Sequence, residues 1–248
     1  MSWTRLASPS RFYRAAGAWL PWLWSAAALL SAAGLYVGFV LAPVDAVQGE
    51  AYRILYVHVP AAWMSMLVYL AMASWAAIGW AFNARMAAVL SRALAPTGAL
   101  FTAIALLSGA LWGRPTWGTW WVWDARLTSE LILLLLYLGV IALGNAFDSA
   151  FDDARRGDRA AALLAVVGAI NVPIIYGSVY WWNTLHQGAT IRLNAAPTID
   201  APMLLGLLLV TLGFWAYAIA AALARARAVL IERESEAQWV RALTGASA

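Results

Sequence analysis

The sequence contains no cysteine and no lysine, and only 11% of its 248 residues are charged. Without cysteine the chain can form no disulfide, no iron–sulfur cluster and no thioether link to a cofactor. Without lysine it can build neither a Walker-type phosphate loop nor a Schiff base. Soluble domains carry about twice this charge. The missing residue types exclude several enzyme classes, and the low charge argues against a soluble domain.

What the chain has in abundance is apolar sequence, since 64% of its residues are hydrophobic. Apolar runs of about 20 residues recur, and that length spans the hydrocarbon core of a bilayer. We therefore predict an all-α membrane protein, a bundle of six transmembrane helices joined by short loops and forming a single domain over residues 1–248. The predicted spans are about 22–41, 60–82, 94–112, 128–147, 160–182 and 202–223.

The sixteen basic residues are all arginine, and their distribution predicts the orientation of the spans. Twelve of the sixteen fall in the two terminal segments and in the second and fourth loops. Arginine is enriched on the cytoplasmic side of membrane proteins. We therefore expect both termini in the cytoplasm. The formal net charge of +4 then reflects membrane orientation and does not indicate nucleic-acid binding.

An aromatic stretch, Gly113–Glu130, lies between the third and fourth predicted spans, on the outer side. Four tryptophans fall within seven positions: Trp117, Trp120, Trp121 and Trp123. Three of them share i, i+3, i+4, i+7 spacing with Asp124, which predicts a short amphipathic helix lying in the membrane interface. Its indole face would stack on a flat conjugated ligand. The alternative is an ordinary interfacial belt of tryptophans.

The sequence has only two histidines, His58 and His186, and the predicted topology places both outside, near span ends. Imidazole is a common axial ligand of heme iron, so two side chains from different loops could grip the two faces of one porphyrin. The alternative is that each ring caps a helix or binds a backbone group.

Four arginines lie in the outer loops: Arg53, Arg114, Arg126 and Arg192. A guanidinium fork suits a carboxylate such as a heme propionate. The alternative is an ordinary ion pair with a neighbouring acid. Asp124 would repel a propionate, so we expect it to anchor the loop by accepting hydrogen bonds.

The segment Trp117–Asp124, with the sequence WGTWWVWD, resembles the tryptophan-rich signature of the WWD family of heme-handling membrane proteins. Within it, the six-span length and the continuation ARLTSE resemble the heme exporter protein C (CcmC) family of cytochrome c maturation. The resemblance implies non-covalent heme b at the periplasmic side of the bacterial inner membrane, with His58 and His186 as axial ligands. It also implies a platform formed by the tryptophan loop: Trp117, Trp120, Trp121, Trp123 and Asp124.

The resemblance further implies partners: the periplasmic heme chaperone CcmE, the ABC transporter subunits CcmA and CcmB, and the small single-span protein CcmD. The expected function is heme binding and delivery without an enzymatic step. The alternative is a subunit that translocates heme or another substrate across the membrane, for which Asn171 beside Pro173 is one local indication. A heme lyase is disfavoured by the chain length.

Overall fold

The computed structural model describes residues 8–151, 154–186, 191 and 197–244. The described chain is helical, and its eight α-helices are α1 (Pro9–Tyr36), α2 (Leu55–Phe82), α3 (Arg85–Trp117), α4 (Ala125–Phe151), α5 (Ala154–Gly168), α6 (Asn171–Trp181), α7 (Ala201–Arg233) and α8 (Gln238–Thr244). A π-helical turn (Val37–Leu41) extends α1, and a 3-10 helix (Glu50–Ile54) leads into α2.

Six helical segments within the described residues are long and apolar enough to cross a membrane. The predicted all-α architecture with six spanning helices is thereby confirmed. These segments are Pro9–Leu41, Glu50–Phe82, Arg85–Trp117, Ala125–Ala146, Arg155–Trp181 and Ala201–Arg233. Four of them have 33 residues, which is more than the roughly 20 residues that a bilayer core requires.

The second span begins earlier than predicted. The predicted span starts at about residue 60, but α2 starts at Leu55 and Pro60 lies inside the helix. The pyrrolidine nitrogen cannot donate to the carbonyl of Tyr56, and this loss is tolerated near a helix start and in packed membrane helices. His58 therefore lies on α2 and not in a loop before it.

The tryptophan-rich stretch also differs from the prediction. Helix α3 continues through Gly113 and Pro115 to Trp117 and ends at Gly118, whose φ of 77° is left-handed. Residues 119–124 form no helix, so the predicted short interfacial helix is wrong. A glycine with positive φ is a common helix stop because it has no Cβ to clash with the following carbonyl. Trp117 therefore lies on α3, whereas Trp120, Trp121 and Trp123 lie on the non-helical backbone that follows.

The bundle is held together by close approaches of helix backbones. At Gly34 of α1, an added Cβ would lie 2.7 Å from the backbone nitrogen of Val210 on α7. Gly206 and Gly213 of α7 meet α1 in the same way. Small residues allow such contacts in membranes, where van der Waals packing replaces the hydrophobic effect between helices. Helices α2 and α3 form an adjacent hairpin around a core that includes Tyr69 and Phe101.

Two ends of the bundle can be distinguished by their side chains. The histidine end contains the start of α2, the end of α3, the start of α4 and His186. The arginine end contains the turn between α2 and α3, the start of α5 and the end of α7. At the arginine end, Arg85 pairs with the buried carboxylate of Glu234 at 3.0 Å, and Trp239 of α8 donates its indole N–H to the same side chain at 2.5 Å.

The fifth span is broken between α5 and α6, at residues 169 and 170. Pro173 lacks the N–H that would continue the helix, and the Val172 N–H donates to the Ala169 carbonyl over a shorter turn, at 3.2 Å. The side chain of Asn171 is buried and donates to the Ser129 carbonyl of α4 at 2.8 Å. The break is therefore tied to α4, and α6 directs the following residues toward the start of that helix.

Candidate functional site

A cavity of about 680 Å³, partly open to solvent, lies at the histidine end between α2, α3, α4 and the segment after α6. Its polar and aromatic lining combines two imidazoles, three indoles, one guanidinium, one carboxyl group and one amide: His58, His186, Trp112, Trp117, Trp121, Arg126, Glu130 and Gln48.

His58 is 7% exposed and is held against α3. Its Nδ1 lies 3.1 Å from the Ala105 carbonyl oxygen and 3.1 Å from Ser108 Oγ. A carbonyl oxygen only accepts, so Nδ1 carries the proton and donates to it, which leaves Nε2 with a free lone pair. Gly109 makes this fit possible, because an added Cβ would lie 3.0 Å from the His58 ring. The ring is therefore oriented in the way that protein metal ligands are oriented.

His186 follows α6 and faces His58 across the cavity. The two ring centroids are 6.0 Å apart, with an angle of 32° between the ring planes. The topology predicted that both rings lie at the same end of the bundle, and the structure places them as neighbours. The two histidines are more than a hundred residues apart in sequence and meet because the α5–α6 segment runs back along α4.

Asp124 connects the start of α4 to the His186 segment. One carboxylate oxygen accepts the Leu127 N–H at 2.8 Å, which is an N-cap contact. The other accepts the Thr184 hydroxyl, and the Thr184 oxygen accepts the His186 N–H at 3.1 Å. The anchoring role expected for Asp124 is therefore present, and α4 begins at Ala125, before the predicted span start of about 128.

The indoles divide between the cavity and the surface. Trp117 lies 6.1 Å from the His186 ring, centroid to centroid, and Trp121 also lines the cavity. Trp120 and Trp123 do not line it and are 54% and 77% exposed. The expected single face of Trp117, Trp120, Trp121 and Asp124 does not exist, because the backbone beyond Gly118 is not helical.

Two further lining residues are ones that sequence reasoning missed. Trp112 packs edge-on against His58 with centroids 5.5 Å apart, and its Nε1 donates to Gln48 Oε1 at 2.7 Å. Trp112 lies five residues before Trp117 on the same helix, a spacing that does not place two side chains on one helix face, so the helical pattern gave no signal for it. Gln48 carried no signal because its position depends on how the first outer loop folds.

Glu130 is the third missed residue. It is 8% exposed, lines the cavity and accepts the Ser65 hydroxyl at 2.7 Å. In sequence it looked like a first-turn acid of a helix starting near Thr128. Because α4 starts at Ala125, Glu130 lies a full turn deeper, inside the bundle. A charged residue followed directly by an apolar run such as Leu131–Leu138 is a signal of function that sequence reasoning could have used.

Of the four outer arginines, Arg126 lies on the cavity, and its guanidinium donates to the Ile175 carbonyl of α6 at 2.8 Å. Arg53 instead binds the Gly38 and Ala42 carbonyls and the Glu50 carboxylate, so it fastens the end of the first span. Arg114 donates to the Gly118 carbonyl at the end of α3. Arg192 lies outside the described residues.

One hydrogen-bond donor that lines the cavity has no acceptor in the described part of the chain. Trp121 Nε1 is buried and makes no hydrogen bond within the described residues. An unsatisfied buried N–H is costly, and native proteins retain such groups mainly where a ligand or water can accept from them. Together with the Nε2 lone pair of His58, this N–H gives the cavity unused capacity to bind a ligand.

These features define a class of protein: a polytopic helical membrane protein with an indole-lined, two-imidazole cavity at one end of its bundle. The model of one family, heme exporter protein C, matches residues 2–241. The heme exporter protein C of Escherichia coli is 47% identical over 240 residues, covering 96% of this chain and 95% of the relative. Its counterpart in Haemophilus influenzae is 45% identical over 237 residues, with the same coverage.

A third relative, the heme exporter protein C of Bradyrhizobium diazoefficiens, is 46% identical over 230 residues, covering 92% of this chain and 85% of the relative. The chain belongs to the heme exporter protein C family. The resemblance seen in the tryptophan-rich stretch therefore extends over nearly the whole sequence.

Proposed function

We propose that this protein binds heme b non-covalently in the histidine cavity, with His58 and His186 as the two axial ligands of the iron. A ring nitrogen lies about 2 Å from a bound transition metal, and the ring centroid about 1 Å further back, so one metal between two imidazoles requires centroids about 6 Å apart. The observed separation is 6.0 Å. This agreement, together with family membership, supports the proposal most directly.

The remaining lining suits the rest of the macrocycle. Trp112, Trp117 and Trp121 offer aromatic faces and edges to a flat conjugated ligand. Arg126 and the unused Trp121 Nε1–H are donors for propionate carboxylates. No group of three or more His, Cys, Asp or Glu side chains is assembled for a metal ion among the described residues. Two imidazoles alone suit a metal whose other ligands come with its macrocycle.

We further propose that the protein hands the heme to a periplasmic chaperone, CcmE, as a delivery protein and not as an enzyme. Trp120 and Trp123 are exposed beside the cavity and present apolar surface to a docking partner. The names of the relatives describe heme export, which supports association with the transporter subunits CcmA and CcmB and with CcmD. Energy for release would come from those subunits, because this sequence has no Walker-type phosphate loop.

The same proposal places the chain in the bacterial inner membrane as one domain, with the histidine end in the periplasm and both termini in the cytoplasm. Support comes from the arginine distribution, since Arg85, Arg159 and Arg225 lie at the end of the bundle opposite the histidines. Reporter fusions after residues 83 and 186 test this orientation: a cytoplasmic reporter should be active at the first position only.

The decisive experiment is a visible spectrum of the detergent-purified protein with and without its imidazoles. We expect a Soret band with bis-histidine features in the unchanged protein and its loss in His58→Gly plus His186→Gly. Added free imidazole should restore the band, because the cavity stays intact when only the ligands are removed. Heme retention by the double variant with an unchanged spectrum would contradict axial ligation by this pair.

A second function, translocation of heme or another substrate across the bilayer, is favoured by one observation. The fifth span is broken at residues 169 and 170, and broken helices often mark transport sites. Against it, Asn171 at the break is bonded to α4. Heme uptake into sealed vesicles that contain only this chain would support translocation, and binding without uptake would support delivery.

A further inference from the structure

A second and larger cavity lies at the arginine end, between the turn joining α2 to α3, the C-terminal parts of α4 and α7, and the start of α5. It extends over about 2790 Å³, part of it open to solvent. Among its described lining residues, two are acidic, Asp158 and Glu232, and six are arginines: Arg85, Arg92, Arg155, Arg159, Arg225 and Arg233.

The charges of this cavity are only partly compensated by neighbouring acids. Arg233 and Asp158 form a two-bond fork, with both distances 2.8 Å, so this pair adds no net charge. Arg159 donates to the neutral amide of Asn83 at 3.3 Å, which leaves its charge in place. Arg225 is exposed and makes no hydrogen bond or ion pair with any described residue. The cavity therefore has positive charge to offer an anion.

The floor of the same cavity is apolar. It is formed by Ala95 and Pro96 of α3 and by Val140 and Ile141 of α4, while the indole of Trp80 lies at its side and is 51% exposed. Tryptophan prefers the headgroup level of a bilayer. A charged mouth above an apolar floor matches an amphiphile, whereas a small free anion would use the mouth alone.

We propose that the arginine-end cavity binds an anionic phospholipid, with Arg159 and Arg225 contacting the phosphate and the apolar floor receiving the first part of an acyl chain. Arginine forms charge-assisted, two-bond contacts with phosphate oxygens. Basic pockets between transmembrane helices are a recognised mode of lipid headgroup binding. The proposal uses no residue of the histidine cavity and stands independently of heme binding.

The test compares lipids that stay bound through detergent purification, quantified by mass spectrometry. The unchanged protein should retain cardiolipin or phosphatidylglycerol in preference to phosphatidylethanolamine. Arg159→Gln plus Arg225→Gln should reduce anionic-lipid retention on the order of tenfold. The matched control is Arg11→Gln plus Arg14→Gln, which removes the same charge from exposed positions on α1 at the same end; its retention should be unchanged.

Thermal melts with added ligand distinguish the source of the phosphate. Cardiolipin or phosphatidylglycerol should raise the melting temperature of the unchanged protein and of the control, but not of the Arg159/Arg225 variant. An equal rise with inorganic phosphate, or equal retention losses in variant and control, would overturn the proposal. If the double variant does not fold, Arg225→Lys and Arg225→Gln replace it: the first should retain lipid and the second should lose it.

Discussion

The Thr184 hydroxyl occupies a position on which the geometry of the proposed heme site depends. It donates to the Asp124 carboxylate and accepts the backbone N–H of His186. Asp124 in turn caps α4 through Leu127. The segment that carries His186 is otherwise an irregular extension of α6, so this bond fixes its distance from the start of α4. We predict that Thr184→Val weakens heme binding while leaving the fold intact.

The expected magnitude follows from the bond that is lost. A hydrogen bond to an ionised group contributes about 1.5–3 kcal/mol, and about 1.4 kcal/mol corresponds to a tenfold change in affinity. Thr184 is only half-buried, so the lower value applies, and we expect heme affinity to fall about tenfold. Asp124 keeps its bond to Leu127, so the N-cap of α4, which contributes about 1 kcal/mol, is retained and the melting temperature should change little.

The assay is a heme titration of the detergent-purified protein followed by absorbance, with the melting temperature measured in parallel. Thr211→Val is the matched control: its hydroxyl donates to the Leu207 carbonyl within α7 at 2.8 Å, on a helix that contributes nothing to the lining of the cavity. Affinity within twofold of the unchanged protein in Thr184→Val, or an equal loss in Thr211→Val, would refute the argument that this bond positions His186.

Two further substitutions test a hydrogen-bond donor of the cavity and the packing of the helix bundle. Trp121→Phe removes a buried N–H that has no partner within the described residues. Heme affinity should fall about tenfold without loss of stability. The control Trp123→Phe, at a side chain 77% exposed, should change neither heme affinity nor stability. Gly98→Ala would place a Cβ 2.0 Å from Cζ of buried Tyr137, and overpacking of this kind costs about 1–3 kcal/mol. The melting temperature of Gly98→Ala should therefore fall. Gly144→Ala, whose Cβ would meet only the tip of the Arg92 side chain, should be tolerated. Equal changes in melting temperature for the two variants would contradict this description of the packing.

The amino-acid sequence by itself determined the architecture. Length and composition of an apolar run decide whether a segment can cross a bilayer, and both are local properties. The six spanning helices were therefore predictable, as was the likeness of WGTWWVWD to a heme-handling family. The sequence also predicted that His58 and His186 lie at the same end, because an even number of crossings separates the two residues.

The tertiary structure decided which residues line the cavity, because that depends on where helices end and which faces meet. Gly118 stops α3 after Trp117, so the following indoles lie on non-helical backbone: Trp121 lines the cavity, whereas Trp120 and Trp123 are exposed. The imidazoles lie 6.0 Å apart, and the Thr184–Asp124 hydrogen bond beside them joins parts of the chain 60 residues apart. Contacts at such separations depend on packing of the whole bundle, and no local pattern in a single sequence encodes them.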